Sequence, residues 1–270
     1  MPRIESADGT ALYVKDWGQG RPVVLIHGWP LNADSWERVA LGLARAGFRV
    51  VSYDRRGFGR SEQPWDGYNY DTLADDLAAV IDGLKLADAA IVGFSMGGGE
   101  VARYMSRHQG RGVAKAALLS SIAPKLVQSA DNPEGAPRDV LIGMQKAIEE
   151  DRPEFLTGFF KAFYGQGLVS GVSEGVLHWS LHMALLASPR ATIACIDAWQ
   201  EDFRGDAQAF GVPTLVVHGT KDAIVPIDAT GRQAAKIIPG AKLVEYDGAP
   251  HGILATHAER VTQDLLDFLG

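Results

Sequence analysis

The chain has 270 residues, of which 46% are hydrophobic and 22% charged, and its formal net charge at pH 7 is −7. This composition provides enough apolar side chains for a large core, and it lacks both the basic surplus of a nucleic-acid-binding protein and a polybasic segment for anionic lipid. No apolar run approaches the ~20 residues of a membrane-spanning helix. Because there is one cysteine, Cys195, and no apolar signal-peptide core near the N-terminus, we expect a cytoplasmic protein without internal disulfides, membrane contact or a nucleic-acid partner.

Short apolar runs bounded by turn residues recur along the chain. Continuous runs, as opposed to alternating ones, are typical of strands buried on both faces of a parallel sheet. They occupy residues 21–28, 48–59, 89–95, 114–121, 212–219 and 241–248. The N-terminal residues 3–18 differ, because two short strand-like segments flank Asp8-Gly9 and predict an antiparallel hairpin at the edge of the sheet.

Segments with helical spacing of apolar residues lie between these runs, at residues 35–47, 71–86, 98–109, 228–240 and 257–270. Strands that alternate with helices predict an α/β protein with a doubly wound, mostly parallel sheet. Residues 123–211 interrupt the alternation with a stretch rich in aromatic residues and helix formers. We predict that 123–211 form a helical cap insertion over the strand ends, with 1–122 and 212–270 as the core domain.

The pentapeptide Gly93-Phe94-Ser95-Met96-Gly97 lies between a predicted buried strand and a predicted helix. It matches G-x-S-x-G, in which a serine occupies a strained turn that exposes its hydroxyl. The N-terminus of the following helix would stabilise a developing oxyanion near that hydroxyl. Two other interpretations are a glycine-lined helix that packs closely on the sheet, with Ser95 as its cap, and a phosphate-binding loop. The sequence does not fit the glycine pattern of the latter.

A nucleophilic serine needs a base, and the base needs an orienting acid. His251 lies after the last predicted strand, and Asp222 follows the fifth apolar run, so both belong to loops at the same sheet edge as Ser95. The chain order serine, aspartate, histidine is that of triads built on a strand–turn–helix nucleophile. Asp247 is a second acid candidate near His251, but it is more typical of a turn residue before Gly248.

The other histidines fit structural roles. His27 and His218 each end a predicted strand, where we expect structural hydrogen bonding. His178 and His182 have the i, i+4 spacing that a zinc site uses, but the H-E-x-x-H pattern is absent, and we expect partial burial within the insertion.

An oxyanion hole requires two backbone N–H groups. One is expected from Met96, directly after the nucleophile, and the other from the loop that follows the first buried run, where Trp29 has an N–H and Pro30 has none. The alternative is that Gly28 and Trp29 only turn the chain and fill the floor of the cleft.

Five motifs in this order, HGWP, DRRGFGRS, GFSMGGGEVARY, HGTKDAIVP and APHG, resemble the α/β-hydrolase superfamily. Within it the chain is similar to the cofactor-free haloperoxidase and aryl esterase group, whose members are also called perhydrolases. The resemblance covers nearly the whole chain and is weakest in the insertion. It implies a catalytic triad of Ser95, Asp222 and His251 with oxyanion amides at Trp29 and Met96.

The resemblance also implies what this triad acts on. Its substrates would be small carboxylic esters with aryl or short acyl groups, and hydrogen peroxide would be a co-substrate that converts the acyl-enzyme to a peracid. Neither a metal nor another cofactor is implied. Members of the group are typically homo-oligomers, so self-association is expected on the same basis.

We expect a small apolar substrate pocket formed by Trp29, Phe94, Phe159, Phe163 and Ile224. Phe94 and Ile224 adjoin predicted triad residues, and Phe159 and Phe163 share a helix face. The triad alone does not distinguish an esterase from a lactonase or a C–C or cyanohydrin lyase. A third alternative is a ligand-binding receptor on a hydrolase scaffold.

Overall fold

The computed structural model describes residues 3–167 and 171–270. In these residues one sheet contains eight strands in the order β1-β2-β4-β3-β5-β6-β7-β8. The strands are β1 (Arg3–Glu5), β2 (Ala11–Trp17), β3 (Pro22–Ile26), β4 (Arg49–Tyr53), β5 (Ala89–Phe94), β6 (Val113–Leu119), β7 (Thr214–Gly219) and β8 (Lys242–Tyr246). Each of the six apolar runs corresponds to one of the strands from β3 to β8, and only β6 begins outside its run, one residue earlier at Val113.

The sheet is parallel from β4 to β8 and antiparallel at its N-terminal edge. β1 pairs with β2 in an antiparallel hairpin around Asp8-Gly9, and β2 pairs antiparallel with β4. Each residue of β5 and of β7 is buried. A parallel strand is buried in this way only when helices cover both faces of the sheet. The predicted doubly wound, mostly parallel sheet with an antiparallel edge is therefore confirmed.

The helices of the described residues are α1 (Glu37–Arg45), α2 (Tyr70–Gly83), α3 (Met96–Arg107), α4 (Arg138–Phe163), α5 (Glu174–Leu185), α6 (Pro189–Ala198), α7 (Arg204–Gln208), α8 (Gly231–Ile237), α9 (Ile253–Thr256) and α10 (Ala258–Leu269). α1 packs against α10, whereas α3 packs between α2 and α7. None of these helices combines the length and apolar character that a membrane crossing requires.

Four helices of the described residues, α4 to α7, lie between β6 and β7, and α4 is the longest of them. The helix is interrupted at Asp151, which has φ −151° and ψ 86°, and Pro153 follows two residues later. A proline removes a backbone N–H and clashes with the preceding turn, which accounts for the kink. α4 packs on α5 and α6, whereas α7 packs on α3 and α8 of the core. The domain boundaries at 122 and 212 remain a prediction.

A buried ion pair joins three elements at the end of β3. Arg55 and Glu100 pair with both side chains fully buried, and the Tyr53 hydroxyl donates to the second carboxylate oxygen of Glu100 at 2.7 Å. Arg55 also donates through Nη2 to the carbonyl oxygen of His27 at 2.6 Å. The pair therefore fixes the strand end from which the 27–30 loop departs.

Removing the acid of this pair should destabilise the whole fold. We expect Glu100→Ala to lower the free energy of unfolding by about 3–5 kcal/mol, because it leaves the Arg55 charge buried without a partner. Urea denaturation at neutral pH measures the change. Asp82→Ala is the matched control, since its ion pair with Arg111 is exposed on both sides, and its denaturation midpoint should not move. Equal stability of the two variants would contradict the prediction.

Candidate active site

Ser95 occupies a sharp turn between β5 and α3. Its backbone has φ 54° and ψ −118°, a conformation that residues with a side chain rarely adopt. The turn lies so close to the neighbouring strand that a methyl group on Gly97 would lie 2.5 Å from the carbonyl oxygen of Ile26. Gly97 thus lets the helix approach the sheet, and the strained turn directs the Ser95 side chain away from both.

The three residues of the predicted catalytic triad lie in contact at one edge of the sheet. The Ser95 hydroxyl lies 2.9 Å from Nε2 of His251, and Nδ1 of His251 lies 2.7 Å from Oδ2 of Asp222. Ser95 is 6% exposed, Asp222 8% and His251 1%. This is the relay in which a base can take the hydroxyl proton while a carboxylate holds its ring.

Two aromatic rings pack against the imidazole of His251. The Phe94 ring centre lies 5.2 Å from it, and the Phe163 ring meets it edge to face at 4.8 Å. Both were predicted to line the substrate pocket. The structure places them against the base, where they restrict its orientation and exclude water.

The carboxylate of Asp222 accepts three hydrogen bonds and also lies beside a second histidine. Oδ1 accepts from the backbone amides of Ile224 at 3.0 Å and Val225 at 2.8 Å. Oδ2 accepts from His251 and also faces Nε2 of His218 at 3.2 Å. Burial alone would raise the pKa of Asp222, but the charge of His251 and the N–H groups of both histidines outweigh burial and hold this pKa below its ordinary value.

The loop predicted to supply an oxyanion donor lies beside Ser95. A methyl group on Gly28 would come within 3.0 Å of the Ser95 Cβ atom, so the chain at 28–29 is in contact with the nucleophile. The Trp29 side chain is anchored by a 3.0 Å hydrogen bond from Nε1 to the carbonyl oxygen of Thr192. Met96 is the first residue of α3, where backbone N–H groups lack helical partners. The assignment of both amides as oxyanion donors remains a prediction.

A cavity of about 160 Å³ opens onto Ser95 and His251. Its remaining walls are apolar or aromatic: Trp29, Ile122, Leu126, Ala136, Val140, Leu141, Met144, Phe155, Phe159, Trp199, Ala223, Ile224 and Val225. Three residues of the predicted pocket, Trp29, Phe159 and Ile224, lie in this lining.

Sequence reasoning missed most of the wall that comes from the segment after β6. Phe155 could have been found, because it extends the i, i+4 spacing of the predicted aromatic face by one turn, and its ring stacks on Phe159 at 6.1 Å. Trp199 contacts the Trp29 ring at 5.1 Å. No local pattern marks Leu126, Ala136 or Met144, since long-range packing brings them to the cavity.

The remaining candidates lie elsewhere. His178 and His182 are exposed on α5, contrary to the expected partial burial, because the helix turns that face to solvent. Asp247 accepts a hydrogen bond from the hydroxyl of Thr220 at 3.2 Å. Burial raises the pKa of the Cys195 thiol to about 12, as expected of an unreactive core cysteine.

Comparison with known proteins agrees with this architecture. The family model described as alpha/beta hydrolase fold matches residues 21–170 and 176–258, so the chain belongs to the alpha/beta hydrolase fold family. It is 42% identical to the non-heme chloroperoxidase of Kitasatospora aureofaciens, over 100% of this chain and 99% of that protein. It is 39% identical to the bifunctional esterase/perhydrolase of Acinetobacter calcoaceticus, with the same coverage. The crystal structure of the bromoperoxidase from Bacillus anthracis matches 99% of both chains with a TM-score of 0.94 and 42% identity.

Asp222 gives the stability of the fold a defined pH dependence. Because its pKa is lower in the folded chain than the ordinary value of ~4, its contribution is present in full above about pH 4 and is lost as the pH falls towards the folded-state pKa. We expect the difference in the free energy of unfolding between the native chain and Asp222→Asn to narrow as the pH falls from about 6 to about 3. Urea denaturation at several pH values measures it. A difference that widened on acidification would contradict the assigned direction.

Proposed function

We propose that the protein is a serine hydrolase that cleaves small carboxylic esters through an acyl-enzyme and that also transfers the acyl group to hydrogen peroxide. The observation that carries this proposal is the continuous hydrogen-bonded relay from Ser95 through His251 to Asp222 at the mouth of an apolar cavity. The relatives named as esterase/perhydrolase and as non-heme chloroperoxidase support the same activity.

In the acylation step, Nε2 of His251 takes the Ser95 proton while the serine oxygen attacks the ester carbonyl. Asp222 holds the ring so that Nε2 faces the serine, and it stabilises the imidazolium that forms. The tetrahedral oxyanion then receives hydrogen bonds from the amides of Trp29 and Met96. Collapse of the intermediate breaks the ester C–O bond, and His251 returns its proton to the departing alcohol.

The second step divides the two activities. Water attacks the acyl-enzyme to give a carboxylic acid and free Ser95, whereas hydrogen peroxide attacks it to give a peracid and free Ser95. In each case His251 takes the proton of the attacking molecule and returns it to the serine oxygen. A released peracid oxidises bromide to hypobromous acid, consumes one proton and becomes the carboxylic acid. Halogenation would thus follow from peracid release without a metal-bound oxidant.

The cavity limits the size of the ester. An apolar cavity of about 150 Å³ holds one molecule the size of benzene, and the cavity beside Ser95 measures about 160 Å³. It therefore suits either one phenyl-sized group or an acyl chain of a few carbons.

The self-association and the cytoplasmic location that the sequence predicts remain predictions.

The proposal is tested first with p-nitrophenyl acetate. We expect Ser95→Ala to lower hydrolysis by at least ~10⁴-fold, and to abolish bromination of phenol red in the presence of peroxide and bromide, because both need the acyl-enzyme. Ser106→Ala, on the same helix α3, is the control and should retain both activities. Absence of turnover in the native chain would favour the receptor alternative. Equal turnover by the native chain and Ser95→Ala would contradict the proposed nucleophile.

A second test concerns chain length. We expect kcat/KM for p-nitrophenyl decanoate to be about 100-fold lower than for the butyrate, because the longer chain exceeds the cavity. Leu141→Ala should enlarge the cavity and shift the preference towards hexanoate and octanoate. Leu265→Ala, a buried leucine of α10 remote from the cavity lining, should leave the preference unchanged. Faster turnover of the decanoate by the native chain would show that the cavity does not limit the substrate.

A further inference from the structure

A second histidine contacts the carboxylate of the proposed triad. His218 lies near the end of β7, four residues before Asp222, and its side chain is fully buried. Its Nε2 lies 2.9 Å from the carbonyl oxygen of Val225 and 3.2 Å from Oδ2 of Asp222. Both neighbours are acceptors, so Nε2 must carry the proton; it donates to the Val225 carbonyl and lies within electrostatic reach of Oδ2 of Asp222.

The other nitrogen of this ring has a different environment. Nδ1 of His218 is buried and has no hydrogen-bond partner among the described residues. The backbone of Gly231 packs over this side of the ring, where a methyl group would lie 2.7 Å from Nδ1. A second proton on Nδ1 would therefore have no acceptor, and the surroundings select the neutral imidazole with its single proton on Nε2.

Oδ2 of Asp222 is thus shared by two imidazoles. His251 donates to it from the side of the nucleophile, and the Nε2–H of His218 lies 3.2 Å from it on the side of the sheet. The two backbone amides hold only Oδ1. Apart from His251, His218 is the side chain whose N–H group lowers the pKa of Asp222. The carboxylate plane is consequently fixed at both oxygens before substrate binds.

We propose that His218 is a positioning residue for the reaction: as a neutral imidazole whose Nε2–H lies 3.2 Å from Oδ2, it fixes the orientation of the Asp222 carboxylate and limits how strongly that carboxylate stabilises charge on His251. This inference rests on the proposed function. His218 lies outside the cavity lining. The inference gives it a role in the rate and pH dependence of ester cleavage, in addition to its structural role at the end of β7.

The consequence is a defined shift of the pH–rate profile. Without the His218 donor, the full charge of Oδ2 acts on His251, so the protonated base persists to higher pH and the acidic limb of kcat/KM moves upward. Among the described residues, the charged groups near His218 are Asp222 and Glu245. Glu245 lies opposite His218 on the neighbouring strand β8. Its carboxylate is already paired with Arg232 of α8 at 2.7 Å. The ion pair with Arg232 is left intact by a change at His218.

Two variants separate positioning from packing. His218→Leu removes the donor, and His218→Gln retains an N–H near the position of Nε2. We expect His218→Leu to lower kcat for p-nitrophenyl acetate by about 10-fold, with KM changed less than about 2-fold, and to move the acidic limb upward by roughly half a pH unit. His218→Gln should stay within about 3-fold of the native kcat and keep the native profile. The same losses in both variants, or a native profile in His218→Leu, would overturn the proposal.

A double-mutant cycle tests whether the effect passes through Asp222. On an Asp222→Asn background, His218→Leu should have little further effect on kcat, because the charge that His218 moderates is gone. A loss of about 10-fold on both backgrounds would indicate general damage to the site and overturn the proposal. Urea denaturation of each variant confirms that it is folded under the assay conditions.

Failure of this inference is distinguishable from failure of the proposed function. If the native chain does not hydrolyse esters, the proposed function fails. The protonation of the two His218 ring nitrogens beside Asp222 can then still be measured from ¹⁵N imidazole spectra. Protonated Nε2 and unprotonated Nδ1 on His218 are expected at neutral pH in that case as well. Active native enzyme combined with a protonated Nδ1 on His218 would overturn only the inference.

Discussion

The geometry of the site depends on the backbone turn at Ser95. A residue with a side chain is held at positive φ between a fully buried strand and the start of a helix, which costs about 1–3 kcal/mol of strain. Contacts around the turn offset this strain. Gly97 allows α3 to approach β3, and the buried pair of Arg55 and Glu100 holds α3 at the same strand end. The hydroxyl is thereby presented at a fixed point of the sheet edge.

The other groups reach this point because parallel strands end at one edge. The loops after β3, β7 and β8 carry Trp29, Asp222 and His251, and the sheet order places β3 directly beside β5. Asp222 and His251 are buried, and His251 packs against Phe94 and Phe163, so the hydrogen bond between them is shielded from water and acts at low local dielectric. The carboxylate stays ionised there because three hydrogen-bond donors and the nearby N–H of His218 replace its hydration.

Much of this could be predicted from the sequence, because it depends on local pattern. Apolar runs predicted β3 to β8, and Asp8-Gly9 predicted the edge hairpin. The convergence of Ser95, Asp222 and His251 required only that strand ends share an edge. The cavity wall was harder to predict. Phe94 and Phe163 contact His251 instead of lining the cavity, and Leu126 and Met144 reach the cavity only through tertiary packing. The role of His218 was equally hidden, because "strand residue before glycine" says nothing about a carboxylate four residues later.

The apolar lining of the cavity has a consequence for halide chemistry. None of the lining side chains carries a permanent positive charge, and apart from the Ser95 hydroxyl, the imidazole and the indole N–H groups they are apolar, so outside the proposed oxyanion hole a chloride or bromide ion would lose its hydration with little replacement. The anion therefore stays in bulk solvent and meets the oxidant after its diffusion from the protein. Any organic acceptor would be halogenated with the regioselectivity of free hypohalous acid, set by the acceptor's own nucleophilicity rather than by a chiral protein surface.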